Sequence, residues 1–589
     1  GDGLAALRQQ LRDRVLLAAG QDARAAGVLA ALGVGDQSAI DGNGWDLFRQ
    51  TGVAHLMSIS GLHITLFAWL AAQAVGWLWR CSPALMHRLP APAAARWGGL
   101  ALALAYSALA GWGVPAQRTV LMLAVTVVLH SAGLRWPALL VCVVAGAAVT
   151  LADPWALLQP GFWLSFMAVA LLMSSEPARR APVAQAVRGW RARAWSVVQD
   201  GLHAQLVATL GLAPLAMVFF QQLSLVGLFA NLVAVPVVTF VVTPLALAGM
   251  VWPPLLALAQ LALQPVLLWL DWLGSWPTAT WPVPAVPQLA VLAALTGGVL
   301  LVLPLPWCLR ALGWPLLLPL LWPALPRPPE GEFELLAADV GQGSAVLVRT
   351  RGHLLVHDAG PQYARDSDAG RRILLPLLQA LGERRIDELV LSHKDTDHVG
   401  GAAALLQRLP TTRLRTSLPA GHPLHRLGQH EACAAGQHWA WDGVAFEVLH
   451  PLAYDPTEKS NAQSCVLKLT SASGRTALLT GDIEAPQEAE LVQRLGPVLK
   501  SDTLVVPHHG SHTSSSAEFL AAVAPSKAVI QVGYRSRFGH PHAEVLARYQ
   551  TLGIEVVRTD QCGAWQWDDA GARCTRDVRR RYWHWQPGG

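Results

Sequence analysis

Charge is scarce over a long stretch of this chain. Between residues 201 and 309 the single formally charged side chain is Asp271, and no lysine occurs before Lys394. A stretch that long with one charge cannot present a water-facing surface, so a wholly soluble protein is excluded. No Gly-Lys pair occurs anywhere, which excludes a Walker A loop and any transport energised through one. The seven cysteines show no metal-type spacing. Cys81, Cys142 and Cys308 lie in or beside apolar runs, while Cys562 and Cys574 are placed to pair across a hairpin. The first residue is Gly and no signal peptide precedes the first apolar run, so the chain reads as part of a longer one.

What is present is unevenly spread. The chain is 53% hydrophobic and 14% charged, with 25 Trp, a membrane-protein composition. Its 589 residues are too many for one domain. Residues 1–329 hold 17 of the 44 Lys and Arg but only 10 of the 39 Asp and Glu, whereas the rest is slightly acidic. Two bodies follow, joined near Pro326-Arg327-Pro328-Pro329. Residues 1–50 read as an amphipathic surface segment, with Arg8, Arg12, Asp13, Arg14 and Asp22 on a polar helix face. Residues 51–329 read as a polytopic α-helical membrane domain, and 330–589 as a soluble α/β domain. Apolar runs long enough to span a bilayer, about 20 residues each, lie near 55–79, 97–112, 117–134, 136–151, 160–175, 202–220, 223–243, 245–270, 288–305 and 307–325. A loop over 177–195 carries Arg179, Arg180, Arg188, Arg191 and Arg193, and the positive-inside bias puts it in the cytoplasm.

Polar residues interrupt the apolar runs. His55-Leu56-Met57-Ser58-Ile59-Ser60-Gly61-Leu62-His63-Ile64 places two histidines and two serines in what reads as an apolar helix. Pro115-Ala116-Gln117-Arg118-Thr119 puts an arginine at a helix start, and Asp153, Gln205, Gln221, Gln222 and Asn231 follow. Intramembrane polar groups are costly and face a bundle interior or a wet path. Helix-to-helix hydrogen bonding is the plainer account of any one of them. The His55–His63 set favours the path.

The densest chemistry lies at Ser392-His393-Lys394-Asp395-Thr396-Asp397-His398-Val399-Gly400-Gly401. A buried strand, 386–391, runs into it and a helix follows, so alternate side chains on the turn can converge. A buried cluster of carboxylates and imidazoles is costly unless a cation holds it, and one or two divalent metals are the simplest agent. A charged surface turn is the bland alternative, but few such turns use His-x-Asp-x-Asp-His before Gly-Gly.

This pattern resembles the metallo-β-lactamase superfamily, whose usual form is His-x-His-x-Asp-His. Asp395 stands where the second histidine would be, a hard oxygen that shifts preference from zinc toward manganese or magnesium. The resemblance implies an αββα sandwich, hydrolysis by metal-activated water, and further ligands at later strand ends. Asp482, after Leu478-Leu479-Thr480-Gly481, matches the metal-bridging acid. One of His508 and His509 completes the site, with His508 favoured and His509 close behind as ligand or catalytic group. His540, in Gly539-His540-Pro541-His542, is expected at substrate phosphate or the activated water. Ser344 stands where the family has an acid after Gly341-Gln342-Gly343, and Ser460, Asn461 and Ser464 stand where other members use histidine.

The membrane part is similar to the competence domain of the ComEC family of DNA-uptake channels, on the His55–Ile64 stretch, Pro115–Thr119, Gly161-Phe162-Trp163-Leu164-Ser165-Phe166 and the stretch from Asn231 to Pro236. A metallo-β-lactamase-like domain after it is that family's arrangement. The family also has further N-terminal helices and an OB-fold domain, neither visible in this stretch. The resemblance implies a multi-pass protein of the bacterial inner membrane that passes single-stranded DNA. Double-stranded DNA would arrive on the outer side, where the C-terminal domain degrades the non-transported strand. Its expected metal ligands are His393, Asp395, Asp397, His398, Asp482 and His508, holding two divalent ions with Mn2+ favoured over Mg2+ or Zn2+. His509 and His540 are expected to be catalytic, and His55, Ser60, His63 and Arg118 to shape the DNA path. Membrane lipid, a DNA receptor and a separate helicase or ATPase are the implied partners. The competing readings are a metallohydrolase merely anchored by its spans, and a channel whose hydrolase domain is inactive. Arg579-Arg580-Arg581-Tyr582-Trp583-His584-Trp585 mixes cations with stacking rings, though a solvated basic tail is the plainer account.

Overall fold

The computed structural model describes residues 2–18, 22–134, 136–175, 190–365 and 367–584. The chain divides into two compact units, Gly1–Pro323 and Ala324–Gly589.

The first unit is helical. Among the described residues, five helices are long and apolar enough to cross a membrane: Gly61–Arg80, Val114–Ser131, Val198–Phe220, Gly227–Gly249 and Pro254–Gly274. Shorter apolar helices, among them Ala138–Ala152, Pro160–Ser175 and Gln288–Val302, cover other expected runs. The runs near 223–243 and 245–270 are redrawn as Gly227–Gly249 and Pro254–Gly274. Pro236 offers no N–H to the first of these, and the chain continues through a wider turn over Val238–Val242. The run near 307–325 breaks into Trp307–Ala311 and Gly313–Leu321.

Two expectations change in kind. Helix Ala23–Val34 is buried from Ala25 to Val34 instead of lying on a surface. Its small apolar residues leave no polar face, and it packs with Phe48, Met57, Leu263 and Leu270 in the unit's core. Secondly, His55, Ser58 and Ser60 are not inside a helix. Gly61–Arg80 starts after Ser60, whose hydroxyl accepts the His63 N–H at 3.4 Å while His63 Nδ1 accepts the Ser60 N–H at 3.3 Å. This reciprocal cap satisfies the first orphan donors and ends the helix there. Of the arginine loop expected over 177–195, Arg179, Arg180 and Arg188 lie outside the described residues, and helix Trp190–Phe220 begins at its far end.

The second unit is the αββα sandwich. One sheet of eight strands runs in the order His430–Ala432, Thr411–Thr416, Ile386–Leu391, Leu354–His357, Val346–Arg349, Glu334–Ala337, Trp565–Asp568, Gly571–Cys574. The other, of seven, runs His438–Trp441, Val444–His450, Val466–Thr470, Thr476–Leu479, Thr503–Val505, Lys527–Ile530, Glu555–Arg558. Strand alternation builds the layers. Val346 and Val348 face the opposing sheet, where they meet residues such as Phe446 and Leu467, while Leu347 faces the outer helices with Leu374 and Leu405. Helices Ala485–Leu495, Ala517–Val523 and Ala543–Thr551 cover the second sheet through Leu491, Phe519 and Val545. Leu354–His357 and Ile386–Leu391 are parallel neighbours in the first sheet, and Thr476–Leu479, Thr503–Val505 and Lys527–Ile530 in the second. The loops after these five strands carry the polar cluster described next, at the carboxyl ends where α/β sheets place their ligands.

Candidate metal centre

Asp482 is the centre of the cluster, and its two oxygens face different partners. Oδ1 lies 3.1 Å from His398 Nε2 and 3.8 Å from His509 Nε2. Asp397 closes that side, with Oδ2 3.4 Å from His509 Nε2. Oδ2 lies 3.9 Å from both His393 Nε2 and His508 Nε2. Asp395 reaches this second side only through His393, 3.7 Å away, and is itself partly exposed. Both members of the His508–His509 pair therefore meet the Asp482 carboxylate, one on each oxygen. His540 sits at the rim, its ring 5.7 Å from that of His508.

Local backbone makes this convergence possible. Asp358, His508 and His509 all adopt left-handed conformations, with φ of 60°, 50° and 54°. Such strain in non-glycine residues persists only where surrounding contacts hold it. Gly481, at φ 55°, packs so closely that a Cβ on it would stand 3.0 Å from the side chains of Ser392 and Ser464.

A second layer of residues holds the rings. Asp358 is fully buried and accepts hydrogen bonds from the Ser392 N–H at 2.8 Å, the Ser392 hydroxyl at 2.8 Å and His398 Nδ1 at 2.7 Å. The Gln531 carbonyl accepts from His509 Nδ1 at 2.8 Å. Ser464 Oγ accepts the Asp482 N–H at 3.0 Å and lies 3.4 Å from His393 Nδ1. Each contact turns an Nε2 or a carboxylate toward the shared space. The sequence pattern marks Ser464 only as a missing histidine and gives Asp358, Ser392 and Gln531 no part in the site. A polar residue closing a buried strand was the available signal. Ser344 hydrogen-bonds Gln531 Oε1 at 3.0 Å, and its N–H donates to the Asp397 carbonyl, so it fastens the site instead of ligating.

The electrostatics follow from burial and these contacts. Burial opposes the charged form of His398, but Asp482 and Asp358 outweigh it and hold His398 well above the usual range. Burial likewise opposes ionised Asp482, yet His398 and His509 keep it well below the carboxylate range. Asp397 is brought to about 2 against burial, by the His509 imidazole beside it and the charge of His398. His393 falls to about 4, through burial and then the His398 charge. His540 also falls to about 4, from burial and the nearby His508.

The donor set fits a divalent metal. The Nε2 atoms of His393, His398 and His509 are buried and make no hydrogen bond of good geometry. Three such orphans around one carboxylate are costly unless a cation takes their lone pairs. Asp397, His398, Asp482 and His509 each offer a ligand atom within 4.8 Å of the others.

In the helical unit, His63 and Arg118 are buried, at 2% and 5% exposure, whereas His55 is exposed on the turn before the helix and Ser60 is half-buried. His63 Nε2, Arg118 Nε and Arg118 Nη1 have no hydrogen-bond partner. The basic tail is exposed through Tyr582 and Trp583, and Trp585 lies outside the described residues.

Comparison with known proteins matches residues 32–307 to the competence protein family and residues 338–534 to the metallo-β-lactamase superfamily. Competence protein ComA of Neisseria gonorrhoeae is 39% identical over 95% of this chain and 77% of its own length. Recombination protein 2 of Haemophilus influenzae is 30% identical, covering 91% and 71%. ComE operon protein 3 of Bacillus subtilis is 28% identical, covering 92% and 71%.

Proposed function

The chain belongs to the competence protein family, with a metallo-β-lactamase-fold unit after its competence region, and on that premise we propose that it serves DNA uptake in natural transformation. In this reading the helical part, 51–329, passes one strand across the bacterial inner membrane. The soluble part, 330–589, hydrolyses the strand that is not transported. The observation that carries the hydrolytic half is the Asp482 carboxylate shared between two sets of ligands.

His398, His509, Asp397 and Asp482 would hold one divalent ion, and His393 and His508, with Asp395 beside them, would help hold a second. Bound ions supply an activated water and positive charge against the attacked phosphate. Asp397 and Asp482, with Asp395 at the edge, add hard oxygens to the donor set, which favours manganese over zinc. Asp358, Ser392 and Gln531 fix the rings of His393, His398 and His509 ahead of binding. His540, neutral at pH 7, can accept a hydrogen bond at the rim but brings no charge of its own.

Two further observations support the membrane side of the reading. The buried, unpartnered groups of His63 and Arg118 have no use in a bare anchor and suit a wet path. The disulfides Cys433–Cys465 and Cys562–Cys574 both lie in the soluble unit, whereas Cys81, Cys142 and Cys308 of the helical unit are free. Disulfides persist in oxidising compartments, which supports an extracytoplasmic position for the soluble unit. A DNA receptor and a separate helicase or ATPase complete the machinery.

The test is cleavage of labelled duplex and single-stranded DNA by the full chain in detergent, titrated with Mn2+, Mg2+ and Zn2+. Manganese is expected to support more cleavage than zinc. Asp397→Ala is expected to lose at least about 100-fold, since it removes a ligand and not merely a supporting group. A parent that cuts no DNA with any metal, or an Asp397→Ala chain that cuts as fast, sinks the nuclease reading.

A further inference from the structure

Beside the metal centre lies a loop whose side chains the hydrolytic chemistry does not use. Its root is tight at both ends. A Cβ on Gly533 would come within 2.9 Å of the Gln342 nitrogen, so the first end is pressed against 341–342. At the other end the His542 N–H donates to the Gly510 carbonyl at 2.9 Å, directly after His508 and His509. Between these anchors the tip is folded on itself, with the Gly539 N–H donating to the Ser536 carbonyl at 3.1 Å.

The tip presents two cation–ring pairs to solvent. The Arg535 guanidinium lies 5.3 Å from the Tyr534 ring centre, and that of Arg537 lies 4.8 Å from Phe538. Phe538 is 56% exposed and Tyr534 48% exposed. Phe538 stacks over His540 with centroids 6.0 Å apart and planes 20° from parallel. His540 in turn adjoins His508, so a line of rings leads from the loop tip to the metal ligands. Neither arginine makes an ion pair with a described residue, although 330–589 holds 29 acidic against 27 cationic side chains. A purely structural turn would bury its rings or pair its arginines with acids, and this one does neither.

We propose that the loop 534–540 is a strand grip for the metal centre and takes single-stranded DNA. Arg535 and Arg537 engage backbone phosphates, and Phe538 and Tyr534 stack on unpaired bases. The partner must carry negative charge at regular spacing and flat apolar faces, and a single strand carries both. A duplex hides its base faces inside the stack, so the grip engages a free strand or a frayed end. The proposal rests on the phosphodiesterase reading of the adjoining cluster, and it specifies which form of DNA that cluster meets.

The experiment measures binding with chelator present, so that it does not depend on cleavage. The full chain in detergent is titrated with a fluorescent deoxythymidine oligonucleotide, a ribouridine one and a duplex of equal length. Phe538→Ala is expected to weaken single-strand binding about tenfold, with Phe538→Trp restoring it. Arg537→Gln is expected to make the slope of log affinity against log salt shallower by about 0.7. An oligonucleotide bearing 5-iodouracil is expected to crosslink to the parent chain within 534–540. Unchanged binding in Phe538→Ala, crosslinks confined to other segments, or a duplex that binds as tightly through the same residues overturns the grip. Cleavage by the parent with manganese is scored separately. Its absence would remove the nuclease reading while leaving the binding result standing.

Discussion

At the scale of single residues, the informative feature is the opposition built into His398. It is buried, yet two carboxylates hold it charged in the metal-free site. A divalent ion needs its neutral Nε2, so binding must expel that proton. Because the folded value lies above the usual histidine range, the competition acts through neutral pH. Affinity for Mn2+ is expected to rise at least about tenfold per pH unit as pH rises through neutrality, because His398 and the likewise raised His509 must both give up a proton. Competition with a chelator across that range checks it, and a flat profile would count against His398 as a ligand. The metal-free unit behaves in the opposite sense. The stability His398 contributes is fully present below its unfolded value and is lost as pH rises through the raised folded value. The residue types of this site were legible in the sequence, since His393, Asp397, His398 and Asp482 declare themselves by kind and spacing. Asp358 was not, because its role depends on a partner 40 residues away whose approach no local pattern reveals.

At the scale of elements, the turn after Ile386–Leu391 works because two glycines follow it. Neither has a positive φ, so conformational freedom is not the reason. A Cβ on Gly400 would stand 2.1 Å from the Gln362 nitrogen, and one on Gly401 would stand 2.3 Å from the Ala359 carbonyl oxygen and 2.4 Å from the Gly370 nitrogen. Helix Ala402–Arg408 is thus pressed directly onto backbone, and that contact seats Asp397 and His398. Gly401→Ala is expected to destabilise the soluble unit by about 1–3 kcal/mol, several degrees of melting in a unit of this size, and to lower its metal content. Thermal unfolding followed by amide exchange in Ile386–Leu391 checks this, and an unchanged midpoint would refute it. The Gly-Gly pair was readable as a helix start, but its packing role was not. Likewise Ser60 and His63 read as two polar residues in a helix, and only the fold shows them capping its start.

At the scale of the whole molecule, the helical unit buries polar groups that it does not pair. Arg118 lies against Gly161, where a Cβ would be 3.0 Å from the guanidinium, and Gly61, next to Ser60, would press on Thr119 in the same way. The His63 and Arg118 segments are therefore neighbours in this unit. The double change His63→Leu with Arg118→Leu is expected to cut transformation by at least about tenfold, because a wet path would lose its polar lining. Membrane insertion and metal content are expected to hold. Colony counts after DNA uptake, set against the chain's abundance in membranes, measure this, and unchanged transformation would reduce both residues to packing. The sequence by itself determined the division into an apolar helical part and a soluble sandwich, because composition and periodicity are local properties that burial enforces run by run. It also singled out the candidate ligand types, since chemistry limits which side chains can hold a divalent ion. Only the tertiary structure decided that His508 and His509 take opposite oxygens of Asp482, that helix Ala23–Val34 lies inside, and that the 534–540 loop stands beside His508. Those outcomes depend on loops from five separate strands meeting at one end of two sheets, and on how neighbouring helices pack. Such proximity arises from long-range packing and leaves no periodic trace in the chain.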